Sequence, residues 1–340
     1  MEKLTRKPNC MQHHSTYTFE YPEMLKYEQM QMENFWLPSE PRPENDTHEL
    51  RTGLTDTEYH GVITTLKLFT LYEIHVGVEY WLGRYMRMFP RPEFNRVASV
   101  NGMVELNIHA PFYNEVNVIL RLNTDEFYES YTQDPVLNER MEYIKKLISG
   151  KNDLLSLACF SLIEGAVLYS NFAFLKHFQV NGKNKLSSIV SGINFSLRDE
   201  NIHSLAGATS FRIAVGECID EGILTEEEVL ELRQSIVQAA KDLKAHEFRI
   251  VEMIFAKGTI EGIKEKDMKT FIKSRLNLCL NNLGIDSIYE INENPIAKWF
   301  YDNISMPTIH DFFNALGSQY HRNWAETDFK VKCETYNFVG

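Results

Sequence analysis

The sequence predicts an all-α chain, a single helical domain built round a bundle. Three observations carry that expectation. Helix-start signals open long apolar-periodic segments along most of the chain, no alternating strand pattern of any length occurs, and the most apolar run has the length of a core helix. With 340 residues, 44% apolar and 24% charged, the chain can bury a large core.

Taken in order, the first thirty residues read as an N-terminal arm, polar and without the apolar stretch of a signal peptide. Thr55-Asp56-Thr57-Glu58 has capping-box spacing and opens a helix reaching Met88. Phe89-Pro90-Arg91-Pro92 breaks it, and a second helix runs from about Glu93 to Asn123. Asp134-Pro135 starts a helix that stops at Gly150, and a further one spans about 152–180, ending at the turn pair Asn181-Gly182. Helices follow over about 185–219, from the capping box Thr225-Glu226-Glu227-Glu228 to Gly258, and over about 265–283, 295–303 and 308–320. The domain is expected over 31–320, with a tail over 321–340.

Composition narrows the function. A net charge of −12 argues against a nucleic-acid-binding surface or a polybasic membrane patch. Five widely spaced cysteines, with no Cys-x-x-Cys, argue against a disulfide scaffold or zinc ribbon and make a reducing, cytoplasmic setting the expectation. Residues 154–175 are long and apolar enough to imitate a membrane span, but Glu164 sits near the middle. A carboxylate at a bilayer centre costs roughly 3 kcal/mol or more. A helix buried on all sides of a bundle is the better reading, and something must then compensate Glu164.

The compensation is visible in two symmetric hairpins. Glu73 and Glu105 lie 32 residues apart about residue 89, in the proline break; Glu164 and Glu200 lie 36 apart about Gly182. At 1.5 Å rise per residue, each pair stands level, roughly 24–27 Å from its own turn. One turn beyond each second carboxylate comes a histidine, His109 and His203. Four inward glutamates and two histidines from four helices are the donor set of the dinuclear metal site in ferritin-like bundles. Carboxylates crowded in a dry interior repel one another, and two cations offset that charge. An oxygen-rich shell with imidazole suits iron or manganese. The pair His75/Glu79 has no level partner and reads as structural, and the His48/Glu44 spacing in a proline-rich loop reads as accidental. Cys10, His13 and His14, which could bind metal, read instead as part of a flexible terminus.

At these residues the chain resembles the small, radical-generating subunit of class I ribonucleotide reductase, over about residues 30–300. Arg198-Asp199-Glu200-Asn201-Ile202-His203 is similar to the family's Arg-Asp-Glu-x-x-His. Ser161-Leu162-Ile163-Glu164 and the segment ending Leu71-Tyr72-Glu73 resemble two further carboxylate segments. Ile108-His109-Ala110-Pro111-Phe112-Tyr113 resembles the His-x-x-x-Tyr segment, Phe35-Trp36-Leu37-Pro38 the Phe-Trp-x-Pro, and Asn294-Pro295-Ile296 a late landmark.

The resemblance implies a ferritin-like fold in which Glu73, Glu105, His109, Glu164, Glu200 and His203 hold two metals. An Fe/Fe pair comes first, with Mn/Fe or Mn/Mn as alternatives. It implies that O2 is activated there, that Tyr113 becomes a tyrosyl radical, and that Asp199 links His109 to the relay residue Trp36. It also implies a homodimer and a large catalytic subunit bound through the C-terminal tail, where Tyr336 is the relay candidate and Tyr320 the alternative. The sequence departs from the family in three places. Glu105 precedes His109 by four residues rather than three, so that a gapless match puts Leu106 at the carboxylate; a π-bulge, frequent at functional sites, would absorb the extra residue. Glu73 stands where many members have Asp, and Ser196 where an apolar residue often lines the radical pocket. Two other readings use the same residues: a ferritin-like di-metal or ligand-binding oxidase without a large-subunit partner, and a metal-free helical interaction protein.

Overall fold

A computed structural model of the chain describes residue 4 and residues 6–301. Among these described residues, thirteen α-helices follow in order: α1 (Pro22–Glu33), α2 (Asp56–His75), α3 (Met86–Met88), α4 (Pro92–Val104), α5 (Ala110–Ile119), α6 (Asp125–Gln133), α7 (Pro135–Ser149), α8 (Asp153–Leu162), α9 (Tyr169–Lys176), α10 (Ser187–Asp220), α11 (Glu226–Ile254), α12 (Glu265–Asn282) and α13 (Ala297–Phe300). Among the described residues there is no strand, only an isolated bridge between Ile260 and Ile263.

Several of these helices are pieces of longer rods joined by π-helical turns. Val76–Tyr85 connects α2 to α3, Glu105–His109 connects α4 to α5, and Ile163–Val167 lies between α8 and α9. Joined this way, residues 56–88, 92–119, 153–176 and 187–220 make the four rods of a bundle, two antiparallel hairpins as expected of a ferritin-like fold. α10 packs on α8, α4 on the Val76–Tyr85 turn, and α2 on α5, while α11 and α12 cover the second hairpin.

The anticipated start signals operate. Thr55 and Thr225 each close a capping box, with Glu58 and Glu228, and Pro92 stands at the start of α4. The Asn181-Gly182 turn needs left-handed backbone at both residues, with φ of 55° and 78°. The stretch from Asp153 to Gln179 has the length and apolarity to cross a membrane, but its most apolar window is wholly buried inside the protein. It is the core helix that the sequence predicts.

Three differences from expectation have local causes. α1 lies within and beyond the expected arm; it buries only Met24, Tyr27 and Gln31, too thin an apolar stripe to read from sequence, and packs on α4 and α10. The second rod ends at Ile119 rather than Asn123, because Arg121 turns left-handed. α6, capped by Thr124, fills a gap that the sequence left unassigned. The expected helix over 308–320 and the tail over 321–340 lie outside the described residues.

Candidate metal centre

Each rod delivers its carboxylate at the same level of the core. Glu73 ends α2's buried face, Glu105 and His109 bracket one π turn, Glu164 is the second residue of another, and Glu200 and His203 share a face of α10. All six are at most 2% exposed. Their ligand atoms form two groups of four, each within 4.8 Å: Glu73, Glu105, His109 and Glu200; and Glu105, Glu164, Glu200 and His203. Glu105 and Glu200 belong to both groups. Two carboxylates shared between two four-donor sets would suit two cations held side by side, with Glu105 and Glu200 serving both.

The π turns explain how the sequence reaches this geometry. A π turn inserts one extra residue per turn, so the Glu105-to-His109 interval of four brings both side chains to one face. His109 Nδ1 lies 3.0 Å from Glu105 Oε2 and 3.3 Å from Glu200 Oε1. His203 Nδ1 lies 2.7 Å from Glu105 Oε1 and 3.2 Å from Glu164 Oε2. At the Ile163–Val167 turn, Arg275 of α12 donates from Nε to the Gly165 carbonyl at 2.9 Å and stacks over Tyr169, 3.6 Å from its centroid. A Cβ at Gly165 would collide with Cys279 Sγ and Ser204 Oγ, so only glycine lets α10 and α12 close on the turn that carries Glu164.

The electrostatics fit cations. Both Glu73 oxygens and Glu164 Oε1 are buried without a hydrogen-bond partner among the described residues, a costly state for a carboxylate unless something else binds it. Burial, then the charges of Glu105 and Glu200, push the Glu73 carboxyl well above its usual range; burial, then Glu200, does the same to Glu164. Burial alone would lower His109 and His203, but Glu105 and the neighbouring carboxylates outweigh it and hold both imidazoles well above their ordinary value. Burial would raise Glu105, yet the two facing histidines hold it below the usual carboxylate range. Without metal, Glu73, Glu164, His109 and His203 therefore hold their protons more tightly than in water.

A pH dependence follows. The four raised groups stabilise the metal-free fold fully below their unfolded values, near 4.3 for Glu and 6.5 for His, and that contribution fades as pH climbs through their folded values. Glu105, shifted the other way, contributes constantly near neutrality and loses its share only in acid. Metal displaces the protons. The rise in Tm on adding Fe(II) or Mn(II) is thus expected to be larger at about pH 8 than at about pH 6. Equal rises at both would contradict the assignment.

Beside the centre, Asp199 is fully buried and joins three groups. Its Oδ2 accepts from Trp36 Nε1 at 2.8 Å and lies 3.0 Å from His109 Nε2, while Oδ1 accepts from Gln31 Nε2 at 2.7 Å. Gln31 carries no sequence signal, and only the packing of α1 reveals it. Tyr113, one turn past His109, is buried, stacked on Phe69 with centroids 4.4 Å apart, and its hydroxyl has no partner among the described residues. Burial and the nearby Glu73 keep that phenol well above its ordinary pKa, with Ser196 beside it. Tyr336 and Tyr320 lie outside the described residues. Among the described residues His75 and Glu79 pair with each other near the surface, and Cys10 is buried under Glu217.

Comparison with known proteins identifies the family. The sequence profile of the family described as ribonucleotide reductase, small chain, matches residues 14–295. The chain belongs to that family. Among relatives of this small-chain family, the ribonucleoside-diphosphate reductase subunit beta of Halalkalibacterium halodurans is 28% identical over 308 residues, 87% of this chain and 85% of that protein. The subunit beta of Treponema pallidum is 24% identical over 326 residues, covering 91% and 88%. A class I ribonucleotide reductase structure from Bacillus halodurans superposes with a TM-score of 0.72 at 26% identity, over 82% of this chain and 98% of that one. The dimanganese(II) NrdF of Streptococcus sanguinis shares the fold, with a TM-score of 0.72 at 21% identity over 84% and 98%.

Proposed function

We propose that this small chain holds two metal ions on Glu73, Glu105, His109, Glu164, Glu200 and His203 and stores an oxidising equivalent on Tyr113 for a large catalytic subunit that reduces ribonucleoside diphosphates. The observation that carries this reading is the pair of four-donor groups sharing Glu105 and Glu200. When bound, the metal pair supplies O2 activation and a strong one-electron oxidant. Tyr113 stays protonated in its dry pocket, so its oxidation releases the phenolic proton with the electron. Asp199 fixes the His109 ring through Nε2, a hydrogen bond that metal-bound histidines generally require. The same carboxylate holds the Trp36 indole, which gives an oxidising equivalent a route from the His109 side. An Fe/Fe pair is proposed first; the manganese in the Streptococcus sanguinis protein supports testing Mn/Mn and Mn/Fe. Anomalous scattering at the two edges separates them. Reconstitution with Fe(II) or Mn(II) and O2 tests the whole reading: a persistent tyrosyl EPR signal supports it, and its absence under every metal condition rejects it in favour of an oxidase.

The relay has its own test. Trp36→Phe is expected to keep the metals and the Tyr113 radical while abolishing nucleotide reduction in the presence of the large subunit. Unchanged turnover would remove Trp36 from the path. The tail from Trp324 to Gly340 is proposed as the segment that binds the large subunit, with Tyr336 as its relay residue, in a cytoplasmic setting. The four cysteines that the structure describes are all free and buried, as such a setting allows.

The family pairs as dimers, and one face of this chain suits a second copy. Ile74, Val78 and Leu82 are 41%, 49% and 38% exposed, four residues apart along α2 and its π turn, where that interval keeps side chains in line. Met103 and Leu106 flank them, partly buried. A two-fold interface sets the same stripe against itself. Val78→Glu places a charge in the middle and is expected to give monomers in analytical ultracentrifugation with metal loading retained; an intact dimer would place the interface elsewhere.

A further inference from the structure

Trp36 meets the centre on its His109 side, and a second aromatic file begins on the opposite side, at His203. The Trp81 ring is T-shaped against His203, centroids 5.6 Å apart. Tyr85 lies 4.9 Å from Trp81 and 6.4 Å from Phe94, and Phe94 is 5.4 Å from Tyr21. Aromatic residues four apart on a helix are ordinarily core packing. Two features exceed what packing needs.

The first is Trp81 Nε1, fully buried with no hydrogen-bond partner among the described residues. Leaving a buried donor unmade costs roughly 1–3 kcal/mol, and phenylalanine would fill most of the space without that cost. An indole retained there, against a ligand of a redox centre, is better explained by its readiness to give up an electron. The second feature stands at the far end of the file. Tyr21 donates its phenolic hydrogen to Glu217 Oε1, and Glu217 Oε2 is held by the backbone N–H of Cys10 at 2.7 Å. A phenol loses an electron easily only when its proton has an acceptor, and Tyr21 has one in place, whereas the Trp81 and Tyr80 polar atoms have none.

We propose that Trp81, Tyr85 and Tyr21 form a second hole-transfer route, which drains unused oxidising equivalents from the His203 side to the N-terminal face. The proposal rests on the radical-generating reading above. One electron passes from Trp81 to the oxidised centre, and Tyr21 refills Trp81 across the intervening Tyr85 and Phe94 rings. Those rings bridge the transfer and keep their own electrons, and Tyr85 keeps the phenolic proton shared with Ser210 Oγ. As Tyr21 loses its electron, its phenolic proton moves to Glu217 Oε1, leaving a neutral tyrosyl radical beside a carboxylic acid. A one-electron donor of the ascorbate or thiol class returns an electron to Tyr21, and Glu217 returns the proton. The net change is one electron carried from solution to the centre, without use of Tyr113 or Trp36.

The test compares wild type, Tyr113→Phe, and Tyr113→Phe combined with Trp81→Phe, with Tyr21→Phe or with Glu217→Gln. Each is loaded with Fe(II) or Mn(II), exposed to O2, freeze-quenched for EPR, and digested for mass spectrometry of oxygen adducts. In Tyr113→Phe a transient tyrosyl signal is expected, quenched faster by ascorbate, with adducts on Trp81 and Tyr21. That signal should be lost with Tyr21→Phe, shortened with Glu217→Gln, and lost with Trp81→Phe while adducts shift to side chains nearer the metals. If Trp81→Phe fails to load metal, the two variants at the far end, remote from the ligands, decide the matter. A Tyr113→Phe protein with no transient signal and no adducts on these residues, or with a pattern that Tyr21→Phe leaves unchanged, overturns the route. A wild type that never forms a Tyr113 radical instead overturns the reading beneath it.

Discussion

Glu200→Ala is expected to reduce bound metal from two ions per chain to near none while the bundle stays folded. Glu200 belongs to both four-donor groups, so its loss leaves neither ion a full set. Glu164→Ala removes a donor from the His203 group alone and is expected to lose at least that ion. The fold survives because these carboxylates strain it. Glu200 is among the charges that push both Glu73 and Glu164 upward, so removing it relieves repulsion inside a dry core. The cavity left by truncation works against that gain, and Glu200→Gln keeps the volume while deleting the charge. In metal-free protein, Glu200→Gln is therefore expected to melt no lower than wild type, yet to gain little Tm on adding metal, where wild type gains about 2.7 kcal/mol of stability at a hundredfold excess over Kd. Metal analysis after desalting, with circular dichroism for folding, reads both effects. Two ions retained by Glu200→Ala would place the site elsewhere.

Much of this candidate centre is legible in the sequence, and the reason is geometric. A carboxylate inside the most apolar helix needs a partner, and symmetry about two turns says at what depth partners lie. The caps at Thr55 and Thr225 and the Asn181-Gly182 turn are local features that hydrogen bonding within a few residues dictates, so they survive folding unchanged. The spacing of Glu105 and His109 exposed a problem that sequence posed without deciding, and the π turn at Glu105–His109 is the backbone form that accommodates it. What stayed hidden is tertiary. Gln31 reaches Asp199 across 168 residues, and Arg275 reaches the Gly165 carbonyl across 110. Neither stands in a pattern, since one buried glutamine on a polar helix and one buried arginine on another look like surface residues until neighbours arrive.

Tyr113→Phe is expected to leave metal content and fold untouched, to remove the persistent tyrosyl EPR signal, and to bring nucleotide reduction with the large subunit down to background. The substitution deletes one oxygen that is buried and has no partner among the described residues, so the fold should gain stability, by about 1–3 kcal/mol if the whole desolvation cost is recovered. A higher Tm together with lost function cannot come from a structural role. The control is Tyr72, another fully buried phenol with an unpartnered hydroxyl, whose environment includes Glu164 and Glu200. The two differ in the charge over the ring. Arg140, itself buried and paired to Glu247, holds its guanidinium 5.5 Å from the Tyr72 centroid, and a cation there resists withdrawal of an electron from the ring. Tyr113 faces the neutral ring of Phe69 instead, and the His109 charge near it disappears once that imidazole binds metal in its neutral form. Tyr72→Phe should accordingly keep the signal and the turnover. A radical that persists in Tyr113→Phe and vanishes in Tyr72→Phe would reverse the assignment, and would mean that proximity to Glu164 outweighs the Arg140 field.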